Sequence, residues 1–256
     1  MQPHLRIHVL FVGEKEHDVK RAIFGIQMLR ADKVYVVTKS DMDAYADLFE
    51  STKEEIREIG IEVQEAKVAY YDVLEVMKLC AKLIKEENEK GNEVFFNLSS
   101  GGKLLSAAIT LSCSIFNADL YYVKEDYPEK TISTEEPIIK FPKYHINKPG
   151  KDLIQFMYEL VASHNNQYDR SFTKKECLKI CKEKNIGEFN VRAKDKPRKG
   201  DNSSGDYNKM RLRFLDKLVD LQYIMIENKT RGRITITDAG MFSLNLFTTF
   251  YGLQGK

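Results

Sequence analysis

A doubly wound, mainly parallel α/β sheet followed by an α+β domain is the fold class this sequence predicts, on three observations. Over the first 145 residues, short apolar runs alternate with amphipathic helical stretches in a β-α-β-α rhythm, the pattern of a parallel sheet with crossover helices. At His145-Ile-Asn-Lys-Pro-Gly150 the rhythm breaks, and beyond it helices come first and a hairpin afterwards. The charge changes at the same place. Residues 1–149 hold 20 Lys/Arg against 25 Asp/Glu, a net −5, while residues 150–256 hold 20 against 13, a net +7. The overall +2 therefore conceals a basic C-terminal third. These boundaries divide the chain into a domain over residues 1–145, a linker over 146–150 and a second domain over 151–256.

In the first domain, β-branched and aromatic runs predict strands over Arg6–Val12, Lys33–Thr38, Ile61–Ala66, Glu93–Leu98 and Asp119–Lys124. Ile138–Tyr144 is predicted to add a sixth at an edge, where Pro137 and Pro142 are tolerable. The intervening helices are predicted over Asp18–Leu29, Asp41–Ile59 (stopped by Gly60), Asp72–Glu89 and Leu104–Phe116. The last is too apolar to lie on an open surface. In the second domain a helix over Asp152–Ser163 turns Leu153, Phe156, Met157 and Leu160 inward. Thr173 caps another over Lys174–Glu183, with Glu176 completing a Thr-x-x-Glu box. A third, over Tyr207–Leu221, places Met210, Phe214, Leu218 and Leu221 on one face. A hairpin of Tyr223–Glu227 and Arg233–Thr237 and a last helix from Thr237 through Phe247 follow. Three helices, a basic-tipped hairpin and a closing helix describe a winged helix-turn-helix.

The chemistry concentrates at Asn97-Leu-Ser-Ser-Gly-Gly-Lys103, which follows a strand and opens a helix. Two glycines let a ligand approach the backbone. The free N–H groups of the first helical turn carry about half a positive charge, Lys103 adds a full one, and Ser99 and Ser100 offer hydroxyls. Such a turn suits a phosphate or nucleotide, although Gly-Gly is also a common way simply to turn a chain. It is neither a Walker A loop, since Asn97 and Leu104 stand where that pattern needs Gly and Ser/Thr, nor a G-x-G-x-x-G fingerprint. With the usual strand order three-two-one-four-five, ligands bind between strands one and four, beyond their carboxyl ends. Gly13, Glu14 and Lys15 then face Asn97, Ser99, Ser100, Gly101, Gly102 and Lys103 across one crevice, with Thr38 and Lys39 next along the same edge.

In a winged helix the third helix enters the major groove and the hairpin touches the backbone. Tyr207, Asn208, Lys209, Arg211, Arg213 and Lys217 belong to that helix, and Asn and Arg are residue types that read adenine and guanine. Lys229, Arg231 and Arg233 on the hairpin, with Arg192, Lys194, Lys196, Arg198 and Lys199, are placed to neutralise phosphates. A merely solvated lysine-rich surface is the bland alternative.

Hydrophobic residues make up 43% and charged residues 30% of the chain, the composition of a soluble protein with a core. No apolar run reaches membrane-spanning length and no secretory signal precedes Arg6, so the cytoplasm is the expected compartment. Cys80, Cys113, Cys177 and Cys181 lack metal-ligand spacing and are expected to be reduced thiols, with no metal site.

With both halves in view, the chain resembles the CRISPR-associated Rossmann-fold (CARF) transcription regulators that carry a C-terminal winged helix. Asn97-Leu-Ser-Ser-Gly-Gly-Lys103 resembles that family's ligand motif, and the Arg6–Val9 strand is similar to the start of a group of archaeal regulators. The resemblance covers nearly the whole length. It implies a Rossmann-like ligand domain, no cofactor, and a homodimer that binds a cyclic oligoadenylate, commonly the tetramer, across its two-fold axis. Ligand binding would alter how the winged helices engage double-stranded promoter DNA. The Arg192–Lys199 stretch is longer than a typical helix-turn-helix connection.

Two other functions stay open on the sequence. Some CARF domains cleave their own ligand without a metal; here Ser99 or Ser100 would align a ribose 2′-OH and Lys103 would stabilise the developing charge. No histidine stands beside the motif as a base, so any such activity should be slow; the chain is expected not to be an enzyme, with slow ring cleavage the minor alternative. An effector ribonuclease is disfavoured because no arginine precedes a histidine at the Arg-x4–6-His spacing. The other alternative is a regulator sensing a different nucleotide-like metabolite.

Overall fold

Among the described residues, six strands form one sheet in the order β3-β2-β1-β4-β5-β6: β1 (Arg6–Phe11), β2 (Lys33–Lys39), β3 (Glu62–Val68), β4 (Glu93–Asn97), β5 (Asp119–Val123) and β6 (Ile138–Lys140). All neighbours run parallel except β6, which is antiparallel to β5. This computed structural model describes residues 4–13, 15–40, 46–125, 136–163, 171–187, 189, 203–227 and 232–253. They fall into two compact units, Met1–Lys148 and Pro149–Lys256.

Burial follows strand position. The central strands β1 and β2 are covered on both faces, so Ile7, Val9, Leu10, Phe11, Val34, Val36 and Val37 are fully enclosed, and their sequences are near-continuous apolar runs. Edge strand β3 is mostly polar and open instead. Each fully buried Leu, Ile or Phe contributes about 1.5–3 kcal/mol relative to exposure. Helices α1 (Glu16–Met28) and α2 (Ala46–Glu58) pack together, as do α3 (Val73–Glu89) and α4 (Lys103–Phe116). Right-handed crossovers put the two pairs on opposite faces, because the chain reverses direction across the sheet after β3. Asp72 caps α3 by accepting from the Glu75 N–H at 3.0 Å. Asn117, at φ 64°, ends α4 in the left-handed region, where Asn is among the few tolerated residues.

Two expectations change in this unit. The sixth strand stops at Lys140, short of Tyr144; Pro142 has no N–H to continue a ladder. Phe141 N–H to Leu120 O (3.0 Å) and Ile146 N–H to Ser114 O (3.1 Å) tie the following segment down. Helix α4 is also less enclosed than its composition suggests, since Leu104 and Leu111 are 45% and 46% exposed.

The second unit contains α5 (Lys151–Ala162), β7 (Phe172–Thr173), α6 (Lys174–Glu183) and α7 (Ser203–Met210). A π turn (Arg211–Leu215), α8 (Asp216–Asp220), β8 (Ile224–Glu227), β9 (Arg233–Ile236) and α9 (Asp238–Tyr251) complete it. Thr173 and Glu176 form the reciprocal capping box on α6, and the two strands of the hairpin pair antiparallel. The two-residue β7 pairs with β9, making a three-stranded sheet in the order β7-β9-β8. The third predicted helix is not one α-helix. Asp216 N–H reaches back five residues to Arg211 O, and the wider turn brings both Phe214 and Leu215 inside, each 1% exposed. Phe214 stacks on Phe156 of α5 at 4.8 Å. Leu221, expected inside, is 39% exposed, because the extra residue of the π turn shifts the inward face. Helix α9 runs to Tyr251, beyond Phe247, and Tyr251 donates to Pro149 O at 2.6 Å.

All four cysteines are buried free thiols. Among the described residues, no helix is long and apolar enough to cross a membrane.

One buried charge cluster joins β2 to α3. The fully buried Glu87 carboxylate accepts from Lys33 Nζ at 2.7 Å, the Tyr35 hydroxyl at 2.6 Å, Asn92 Nδ2 at 2.6 Å and Lys90 Nζ at 3.0 Å. Burial pushes its pKa up, but these donors, Lys33 first, outweigh that and hold it at about 2. Because the folded pKa is depressed, this stabilisation is present above the ordinary carboxylate value of about 4.3 and is lost as pH falls toward 2. Glu87→Ala leaves Lys33 buried without its carboxylate, and denaturant unfolding at pH 7 is expected to show a loss of about 3–5 kcal/mol. The acid limb of the stability curve should flatten in the same variant; an unchanged limb would place the acid sensitivity elsewhere.

Candidate functional site

The turn between β4 and α4 is built from beneath. At the end of β4 the Asn97 side chain is wholly buried. Its Nδ2 donates to Ala22 O of α1 at 3.0 Å and to the Tyr121 hydroxyl of β5 at 2.9 Å, while its Oδ1 accepts from Ser99 N–H at 2.8 Å. Ala22 O can only accept and Ser99 N–H only donate, so one orientation of the amide satisfies all three. The Tyr121 hydroxyl also pairs with His8 Nδ1 at 2.8 Å. Burial, then the charge of Arg6, lower the His8 pKa to about 4 against a smaller pull from Asp32. The ring is therefore neutral at pH 7.

The serines complete the scaffold. Ser99 Oγ accepts from Val123 N–H at 2.9 Å, and Ser99 O accepts from Arg21 Nη2 at 2.9 Å. Ser100 Oγ donates to Phe11 O. Gly101 takes φ 99°, and a Cβ there would stand 2.8 Å from Leu105 Cδ2, so a side chain would be strained twice over. A Cβ on Gly13 would meet Gly101 N at 3.0 Å. The two glycine turns therefore abut, and neither has room to be bulkier.

Above them lies a cleft of about 360 Å³. Gly13 and Lys15 border it from the β1 loop, Lys39 from the end of β2, and Gly101, Gly102 and Lys103 from the start of α4. Gly102 is the N-cap and no side chain caps the helix, so the N–H groups of its first turn are available to an anion. Asp18 of α1 and Tyr70 and Tyr71 of the β3–α3 turn also border the cleft. The Tyr70 hydroxyl lies 2.7 Å from Val37 O and 3.0 Å from Val12 O. Burial raises its pKa, so Tyr70 stays protonated and ties β1, β2 and β3 together at the cleft floor. Tyr71 is 75% exposed, with Lys39 Nζ 5.2 Å from its ring centroid. Asp18 Oδ1 accepts from Arg21 Nη2 at 2.6 Å.

Of the sequence-predicted ligand residues, Gly13, Lys15, Lys39, Gly101, Gly102 and Lys103 come together. Asn97, Ser99 and Ser100 do not face the cleft: each is at most 3% exposed and committed to the turn. Thr38 is buried in β2 at 7% exposure and is not part of the lining. Glu14 lies outside the described residues. Asp18, Tyr70 and Tyr71 were not expected. Only the strand order brings them in, although Tyr70-Tyr71 follows the strand that is next along the same sheet edge. Among the described residues, no group of three or more His, Cys, Asp or Glu could hold a metal ion.

In the second unit, Asn208, Lys209, Arg211, Lys217 and Arg233 are exposed and Tyr207 is half-buried. Lys209 Nζ lies 4.8 Å over the Phe189 ring. Arg211 Nε is 3.6 Å from Asp216. Arg213 departs from expectation: it turns to Asp152 of α5 at 3.3 Å, tying the π turn to that helix. Arg192, Lys194, Lys196, Arg198, Lys199, Lys229 and Arg231 lie outside the described residues.

A family model described as HFX_2341_N-like, N-terminal, matches residues 6–128, the part of the chain that carries the cleft. No curated protein matches the chain. Among solved structures, the chain is similar to Can2 from Sulfobacillus thermosulfidooxidans in complex with cyclic tetra-adenylate (TM-score 0.38, 13% identity, 47% of this chain and 32% of that one). It is also similar to protein VC1899 from Vibrio cholerae (0.40, 12%, 97% and 66%). A third is a type III CRISPR defence DNA nuclease activated by cyclic oligoadenylate (0.40, 14%, 92% and 37%). The chain thus spans between 32% and 66% of the lengths of these structures.

The polar support under the turn has a measurable consequence. Asn97→Ala leaves the buried Ser99 N–H without its acceptor and removes the bonds to Tyr121 and Ala22, and an unsatisfied buried group costs about 1–3 kcal/mol. Thermal unfolding should shift down markedly, whereas Lys103→Ala, on an exposed residue, should leave it within a degree or two. Equal shifts would contradict the division between scaffold and lining.

Proposed function

We propose that this chain is a cytoplasmic, ligand-responsive DNA-binding regulator of the CARF type. Its N-terminal unit senses a cyclic oligoadenylate, cyclic tetra-adenylate first, and its C-terminal unit is a winged helix-turn-helix that engages double-stranded promoter DNA. The observation that carries the reading is the cleft at the β1/β4 switch point, where Lys15, Lys39 and Lys103 surround an uncapped helix N-terminus. That constellation suits phosphates held by backbone N–H groups and ammonium ions together. At about 360 Å³ the cleft is at the small end of ligand pockets and accommodates part of a four-nucleotide ring. Such a ring therefore calls for two copies, and the exposed Leu104, Ala107 and Leu111 stripe on α4 is the apolar surface a homodimer would cover.

Sensing is favoured over cleavage. The hydroxyls that would align a ribose 2′-OH, those of Ser99 and Ser100, are spent on Val123 and Phe11. Only Lys103 remains of that expected catalytic set, and it serves equally well to bind an intact ring. DNA binding is supported by helices α5 to α8, the three-stranded sheet and α9, together with the exposed Asn208, Arg211, Lys217 and Arg233.

Calorimetry with cyclic tetra-adenylate, followed by analysis of the recovered ligand, tests the reading. One intact ring per two chains is expected; linear products would restore the nuclease reading, and no binding would remove the proposed signal. Lys103→Ala should weaken that binding by at least tenfold while leaving DNA binding largely intact, with parallel loss of both arguing against separate roles. Arg211→Ala should weaken binding to the specific promoter by roughly 5- to 150-fold, the 1–3 kcal/mol of a good base contact, at unchanged ligand affinity. An unaltered footprint would move base reading off this residue.

A further inference from the structure

We infer that Tyr71 is the base platform of the cleft: its ring stacks a nucleobase of the bound ligand while the lysines hold phosphate. The inference rests on the nucleotide reading above and adds where the base goes and what recognises it. A cleft that captured phosphate alone would need cations and N–H groups and no aromatic ring. Tyr71 nonetheless stands at its border, 75% exposed, although tyrosine usually buries most of its ring.

The backbone on either side is fixed. Tyr70, one residue before, bonds to the carbonyls of Val12 and Val37. Asp72, one residue after, donates its N–H to Ala69 O at 3.0 Å and caps α3. The ring is thus carried on a rigid turn while its surface stays open to a ligand. Lys39 Nζ, 5.2 Å from the ring centroid, is a cation–π partner, and Lys39 itself borders the cleft. A phosphate near Lys39 and a base on Tyr71 are therefore neighbouring positions of one nucleotide. Stacking is tolerant of base identity, since every base has a π face. The recognised class is thus a nucleotide unit, free or within a ring, and an adenine nucleotide serves as its probe.

The chain contains no tryptophan, which makes the test direct: Tyr71→Trp introduces a single indole at the platform. Adenosine 5′-monophosphate is expected to quench its fluorescence saturably, and ribose 5-phosphate, which keeps the phosphate and sugar without the base, is not. In calorimetry, Tyr71→Ala and Tyr71→Leu should lose about 10- to 100-fold in affinity for adenosine 5′-monophosphate, with ribose 5-phosphate affinity unchanged and Tyr71→Phe close to wild type. Circular dichroism of each variant should match wild type, as befits an exposed residue. Equal binding of the two probes by wild type, or undiminished nucleotide binding by Tyr71→Ala, would overturn the platform and leave the phosphate site standing. A parallel loss of ribose 5-phosphate would mean that Tyr71 acts only by placing Lys39, which also overturns it. Failure of wild type to bind either probe would overturn the nucleotide reading and the platform with it.

Discussion

The amide of Asn97 is the interaction on which the carboxyl end of the sheet depends. It stands where β4 stops and sends one bond into α1, one into β5 and one forward into the turn that opens α4. A buried side chain with every polar group satisfied can specify one geometry, because any other leaves partners unpaired at full desolvation cost. Tyr121 and His8 extend that constraint across β5 and β1. Arg21 adds a second brace, binding Asp18, Ser99 O, Tyr122 and Val123 O from the opposite side of the same turn. Rigidity supplied from below is what lets the surface above stay open. The α4 N-terminus does not cap itself with a side chain, and its N–H groups are left to whatever enters the cleft.

The sheet was legible in the sequence because parallel strands buried on both faces have no polar alternation to confuse. Runs such as Val34-Tyr-Val-Val37 read as strands on composition alone, and the strand order three-two-one-four-five, the usual doubly wound order, holds. The capping box at Thr173 and Glu176 was equally readable, since its residues are local and its partners lie three positions apart. The π turn was not. Met210, Phe214 and Leu218 match α-helical spacing, and nothing in that spacing says that Leu215 must also turn inward.

The cleft was half legible, and the missing half has a physical reason. A serine or asparagine in a glycine-rich turn has two comparable partners, a ligand outside or the backbone of neighbouring strands inside. Ser100 meets Phe11 O and Ser99 meets Val123 N–H only because β1 and β5 flank β4, and those partners lie far away in sequence. Lysines carry no such ambiguity: a long charged side chain at the carboxyl edge of the sheet stays near the surface, so Lys15, Lys39 and Lys103 arrived where expected. Asp18 and Tyr71 were invisible for the opposite reason, as neither belongs to a glycine turn.

Charge is distributed in the chain according to the range over which it must act. Residues 1–149 are net acidic, yet they are proposed to capture a polyanion. At physiological salt, exposed charges are screened beyond about 8 Å, so a phosphate inside the cleft is governed by the three lysines and the helix N-terminus beside it and little by the domain's net −5. A polyanion as long as DNA is different, because its many phosphates meet a whole surface, and affinity grows with the number neutralised. The net +7 of residues 150–256 suits that task, and the acidic first domain would discourage DNA from lying across the cleft. On the proposed function, separating the two signs along the sequence would keep a small phosphate ligand and a long one from competing for each other's site.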